Sequence, residues 1–164
     1  MRAQGLDQDL IKNLQKDERT VRQYRDWFDV DAQYAQQERR TTTADVDFHR
    51  EFVKYNHHAQ TIINCRRSIA RIENTYTEAL KNKGNQYWEY LKKAKMTKQC
   101  EAVRRSAHEL VLHLDTIIKK PRKFQPHKVY DRLRSLTIVL QNWRRELQDQ
   151  KKAEESARQK LFGG

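Results

Sequence analysis

Apolar residues in the C-terminal half of this 164-residue chain recur in an almost unbroken alternation of four and three positions. Val129, Leu133, Leu136, Leu140, Trp143 and Leu147 form one such ladder, and Met96, Cys100, Val103, Ala107, Leu110, Leu114 and Ile117 form another one segment earlier. On an α-helix this spacing draws a narrow apolar seam, and a narrow seam is shielded from water only by other long helices. No segment shows the period of two expected of a half-buried strand. The ladders therefore predict an all-α protein, an elongated antiparallel helical bundle of coiled-coil type with three to four long helices.

Composition agrees with that reading. The chain is 37% hydrophobic and 34% charged, with four glycines and two prolines. A large spherical core would need more apolar residues and more turn formers. A bundle needs neither, because each helix buries its seam and solvates the rest. Residues 1–164 fit a single domain, the usual size being roughly 100–200 residues.

Local punctuation divides the chain into four predicted helices. The first spans 6–40, with Leu10, Leu14, Val21, Tyr24, Phe28 and Ala35 on one face. Asp17 and Asp31 fall in the same seam, so this helix is expected to be the most loosely held. Thr42 and Asp45 match a capping box before the second helix, 46–81, whose seam runs Phe48, Phe52, Tyr55, Ala59, Ile62, Cys65, Ile69, Ile72, Tyr76 and Ala79. Gly84 is its expected left-handed stop. The third helix, 86–119, changes register near Lys95. Pro121 and Pro126 then enclose the securest boundary. The fourth, 127–161, loses its seam after Leu147, so residues 151–160 are expected to be a solvated extension or a partner-binding end.

Most site chemistries find no support in the spacing. His57 and His58 are adjacent and His108 and His113 are five apart, whereas helical metal sites place two histidines three or four residues apart on one face. Leu112 occupies the position where His-Glu-x-x-His needs its second histidine. No metal or other cofactor is expected. Cys65 and Cys100 occupy seam positions, where a thiol is desolvated and inert. Glycine-rich phosphate loops and Gly-x-Ser-x-Gly elbows are absent.

One stretch, Arg122-Lys-Phe-Gln-Pro-His127, resembles the Arg-x4-6-His element of the HEPN ribonucleases. That resemblance implies Arg122 and His127 acting on a scissile phosphate. It covers six residues, and Pro126 and Lys123 depart from the pattern. Arg50 to His57 is a second match, and eighteen Arg and six His produce about two by chance. The chain is read as non-enzymatic, with a HEPN-like ribonuclease as a remote alternative.

Charge is the stronger signal. Of the net +12, residues 1–40 contribute nothing, with eight basic and eight acidic side chains, while residues 85–164 carry nineteen against nine. The candidate partner-binding residues are Lys92, Lys93, Lys95 and Lys98, then Lys119, Lys120, Arg122 and Lys123, then Arg144, Arg145, Lys151 and Lys152. Antiparallel pairing is expected to bring 92–98 and 144–152 to one end.

A basic face seeks an acidic partner. A rigid rod of roughly 50 Å suits a tubulin-type filament lattice, and the abundance of Arg, Gln, Glu and Tyr is reminiscent of small ciliary and microtubule-associated coiled-coil proteins. The expected role is a structural or adaptor subunit, cytoplasmic or cytoskeletal, with other coiled-coil proteins as further partners. The alternative is a nucleic-acid-binding bundle, nuclear or ribonucleoprotein. For it, Lys119-Lys-Pro-Arg fits a nuclear import pattern, and Tyr87, Trp88, Tyr90 and Phe124 are candidates to stack on bases, although their helical spacing favours packing. No stretch approaches the roughly 20 apolar residues of a membrane span, the first residues do not read as a signal peptide, and no small-molecule substrate is suggested.

Overall fold

Five α-helices and one 3₁₀ turn make up the described part of the computed structural model, which covers residues 3–41, 56–81 and 85–162, with side chains described for 5–30, 59–81 and 85–162. In chain order these are α1 (Ala3–Thr41), α2 (Asn56–Lys81), α3 (Gln86–Lys93), α4 (Thr97–Lys119), the 3₁₀ turn (Pro121–Lys123) and α5 (Pro126–Phe162). The protein is all-α, and no strand occurs among the described residues. The Thr42–Asp45 cap, the seam positions Phe48, Phe52 and Tyr55, the Gly84 stop, and the Asp31 and Ala35 side chains lie outside the described residues.

Cross-helix contacts set the directions. Arg66 pairs with Asp115 at 2.9 Å while Glu73 lies 2.7 Å from His108, so α2 and α4 run antiparallel. Glu18 meets Arg144 at 2.8 Å while Asp7 shares a hollow with Lys151 and Arg158, so α1 and α5 do the same. Gln99 donates to Glu146 at 2.7 Å, which lays the start of α4 on the later half of α5. The principal packing pairs are α1 with α5, α2 with α4, and α4 with α5.

Both ladders are buried at every step. Leu110, Leu114, Leu133, Leu136 and Leu140 are among the fully enclosed side chains, and Trp143 closes against Tyr76 with ring centroids 5.6 Å apart. Full burial of such a residue stabilises by about 1.5–3 kcal/mol relative to exposure, so the seams carry the fold. Thr137 is the one polar residue buried in α5, and its hydroxyl donates to the Leu133 carbonyl at 2.8 Å.

The predicted third helix, 86–119, is in fact two. Lys95 adopts φ 59°, its N–H reaches the Lys92 carbonyl at 3.2 Å, and the Met96 N–H reaches the Leu91 carbonyl at 2.8 Å. This pair of bonds is a Schellman stop, with buried Leu91 and Met96 supplying the apolar contact that accompanies it. A lysine stands where glycine is usual, which is why the stop reads in the sequence only as a change of register. The last helix begins one residue early, because Pro126 lacks the N–H that a first helical residue would leave unpaired anyway.

In α1 the polar interruption of the seam is satisfied from across the bundle. Tyr76 donates its hydroxyl to Asp17 Oδ2 at 2.7 Å, and Glu18, buried although the sequence did not mark it, accepts from Arg144 and pairs with Arg22.

Candidate docking surface

The loop between α4 and α5 sorts its residues by polarity. The Lys120 N–H caps α4 on the Thr116 carbonyl at 2.8 Å, and the Phe124 N–H closes the 3₁₀ turn on Pro121 at 3.0 Å. Phe124 and Pro126 then turn inward, Phe124 lying 6.0 Å from the Phe28 ring of α1. With these anchors inside, Lys119, Lys120, Arg122 and Lys123 are left on the outside, all exposed. Lys128, Arg132 and Arg134 of α5 are exposed as well. Spread along a helix, these three do not stand out as a cluster in the sequence, although residues 119–134 hold seven Lys and Arg and a single acid, Asp131.

Electrostatics at this end are one-sided. Its described segments, 20–30, 59–70 and 110–134, carry eleven Lys and Arg against four Asp and Glu. Asp115 is engaged by Arg66 and Asp26 by Arg25, and none of the seven basic residues of 119–134 pairs with a described carboxylate. Half-buried His113 feels the field: burial first, then Arg132 and Lys128, hold its pKa below the usual histidine value.

The opposite end is mixed. Lys92, Lys93, Lys95, Lys98, Arg145 and Lys152 are exposed there, and Lys92 sits over the Trp88 ring at 4.8 Å. Lys151 shares its hollow with Asp7, Glu154 and Glu155. Segments 3–12, 76–81, 86–98 and 145–160 together hold eleven Lys and Arg against eight Asp and Glu. The structure thus brings 92–98 and 145–152 to one end but separates both from 119–123 by the 23 residues of α4, roughly 35 Å. Arg144 belongs to neither surface: its guanidinium is held between Glu18 and Gln148 inside the α1–α5 pairing.

Other candidate chemistries resolve individually. Cys65 and Cys100 are fully enclosed, and burial pushes both thiols up to about 12. Arg122 and His127 are exposed on separate elements, on either side of buried Phe124. Phe124 is therefore unavailable for stacking, while half-buried Tyr87, Trp88 and Tyr90 lie at the far end of the bundle. Among the described residues no three His, Cys, Asp or Glu side chains gather as metal ligands, and no helix is long and apolar enough to cross a membrane.

No protein-family model, curated protein or solved structure matches this chain.

Proposed function

We propose that this chain is a non-enzymatic docking subunit whose proline-loop end binds an acidic protein surface, the face of a tubulin-type filament lattice being the partner that suits a stiff rod best. The observation that carries this reading is the excess of eleven basic over four acidic residues at one end, with seven of the basic side chains packed into 119–134. Like charges within a screening length of about 8 Å repel one another. A partner's carboxylates relieve that repulsion and gain from it. The 37-residue α5, roughly 55 Å long, projects the opposite end away from such a partner, which is the geometry of an adaptor.

Nucleic acid is the weaker reading. Single-strand binders interleave aromatic platforms with their basic groove, whereas here the half-buried aromatics of the basic end, Tyr24, Trp27 and Tyr130, pack against the core, and Tyr87, Trp88 and Tyr90 lie at the opposite pole.

Co-sedimentation with microtubules, alongside retention on RNA and DNA, each at two salt concentrations, tests the proposal. Microtubule binding that weakens with salt and is lost in the Lys119→Glu, Lys120→Glu, Arg122→Glu, Lys123→Glu variant is expected, with added RNA left intact. Retention on nucleic acid without microtubule binding would replace the protein partner by a polyanion, and RNA cleavage abolished by His127→Ala would overturn the non-enzymatic reading.

A further inference from the structure

Midway along the α1–α5 pairing lies an open hollow of about 290 Å³, lined by Gln15, Glu18, Arg19 and Arg22 of α1 and by Arg144 of α5. Gln15 stands three and four residues before Glu18 and Arg19, and Arg22 four and three after them, so all four share one face of α1. Glu18 is the floor. Its side chain is 6% exposed, with Arg22 Nη2 on one oxygen and Arg144 Nε on the other, each at 2.8 Å.

The arginines stay open to solvent above that floor. The Arg22 side chain is 43% exposed and that of Arg144 18%, while Arg19 is exposed and pairs with no carboxylate among the described residues. Three arginines around one carboxylate leave a formal surplus of two positive charges. The other acids of 15–26 and 141–148 are engaged elsewhere: Asp17 accepts from Tyr76, Asp26 pairs with Arg25, and Glu146 accepts from Gln99. None of them cancels the surplus.

The ligand follows from charge and size. A carboxylate would neutralise half of the surplus, whereas a phosphate monoester carries about −1.5 to −2 at pH 7 and matches the planar fork of a guanidinium. A hollow just under the roughly 300–1,000 Å³ of sites that enclose a whole small molecule takes a head group and leaves the rest of the ligand outside.

We infer that this hollow binds the dianionic head of a phosphate monoester, gripped by Arg19 and Arg22, with Arg144 adding its charge from below. The stretch of α5 from 126 to 144, roughly 27 Å long, separates the site from the proline loop. It does not depend on the docking surface.

Phenyl phosphate and phenyl sulfate have the same shape, and at pH 8 the first carries two charges and the second one. Each is titrated by calorimetry into the full chain at low salt. Phenyl phosphate is expected to saturate a single site and to bind at least about fivefold tighter than phenyl sulfate. Arg19→Gln is expected to weaken it about fivefold, and Arg67→Gln, the same change of charge at an exposed position of α2, to leave it unaltered. The Lys119→Glu, Lys120→Glu, Arg122→Glu, Lys123→Glu variant is expected to keep the site. No saturable binding, equal binding of the two molecules, or equal effects of Arg19→Gln and Arg67→Gln overturns the inference. So does loss of the site in the fourfold variant, which would assign the anion to the proline-loop end.

Discussion

The two ends of this bundle are made from the same helices and differ in what they leave unmatched. At the proline-loop end the residue is charge: Phe124 and Pro126 fill the interior, and seven Lys and Arg of 119–134 face outward with no described carboxylate against them. At the α3 end the charges are nearly balanced, eleven Lys and Arg against eight Asp and Glu. Between them run seams that are apolar at every step of both ladders. The seam fixes the fold, while the solvent-facing positions at each end are free to specialise.

The largest effect is expected at Phe124. Truncating a buried phenylalanine costs about 3–5 kcal/mol, so Phe124→Ala is expected to lower the denaturation midpoint strongly and to weaken partner binding, because the loop that displays Lys119 to Lys123 loses its anchor. Hydrogen exchange is expected to rise first around 119–128 and to leave 86–96 protected; uniform loss of protection would show that the ends are not independent.

A smaller effect is expected at the other end. Tyr76→Phe removes the donor to Asp17 without opening space, and a half-buried carboxylate left short of a bond costs about 1–2 kcal/mol, measurable by chemical denaturation.

Acid is expected to act in opposite directions on the two ends. Burial raises the Asp17 pKa, against the Tyr76 hydrogen bond and the charges of Lys16 and Arg71. A carboxyl whose folded pKa is raised contributes stability that is full below its unfolded value, about 3.9, and lost as pH rises through the folded one. His113 is lowered, so its contribution is full above about 6.5 and lost as pH falls through the folded value. Asp17→Asn is therefore expected to be more stable than wild type at pH 7, with the gap closing on acidification. The advantage of His113→Gln should emerge only below about pH 6.5. Parallel pH dependences of the two variants would contradict the assignment.

The smallest change expected is a gain. Lys95 holds a left-handed conformation that costs a side-chain-bearing residue about 1–2 kcal/mol, part of which glycine returns through its freer unfolded chain. Lys95→Gly is expected to raise stability by up to about 1 kcal/mol, and a loss would mean that the Lys95 side chain matters to the α3 stop.

The fold was legible where apolar spacing alone decides it. Every residue named in the ladders 96–117 and 129–147 is buried, since a seam position is defined by its own helix. The α3 stop was not legible as a break, because it depends on a lysine adopting a glycine's conformation. Nor could local spacing show that Glu18 is buried or that Arg144 belongs to neither end, since each owes its place to the other, 126 residues away. The basic segment 119–123 was legible as composition. Its isolation from 92–98, the contribution of Lys128, Arg132 and Arg134, and the hollow above Glu18 all follow from which helices pair.

On the proposed function one end of the bundle, and not the other, docks the partner. Matched charge reversals test this directly: Lys119→Glu, Lys120→Glu, Arg122→Glu, Lys123→Glu at the proline-loop end against Lys92→Glu, Lys93→Glu, Lys98→Glu, Arg145→Glu at the α3 end, each titrated against microtubules at fixed low salt. Loss of binding in the first variant with near wild-type binding in the second is predicted. Equal losses, or loss in the second alone, would contradict it.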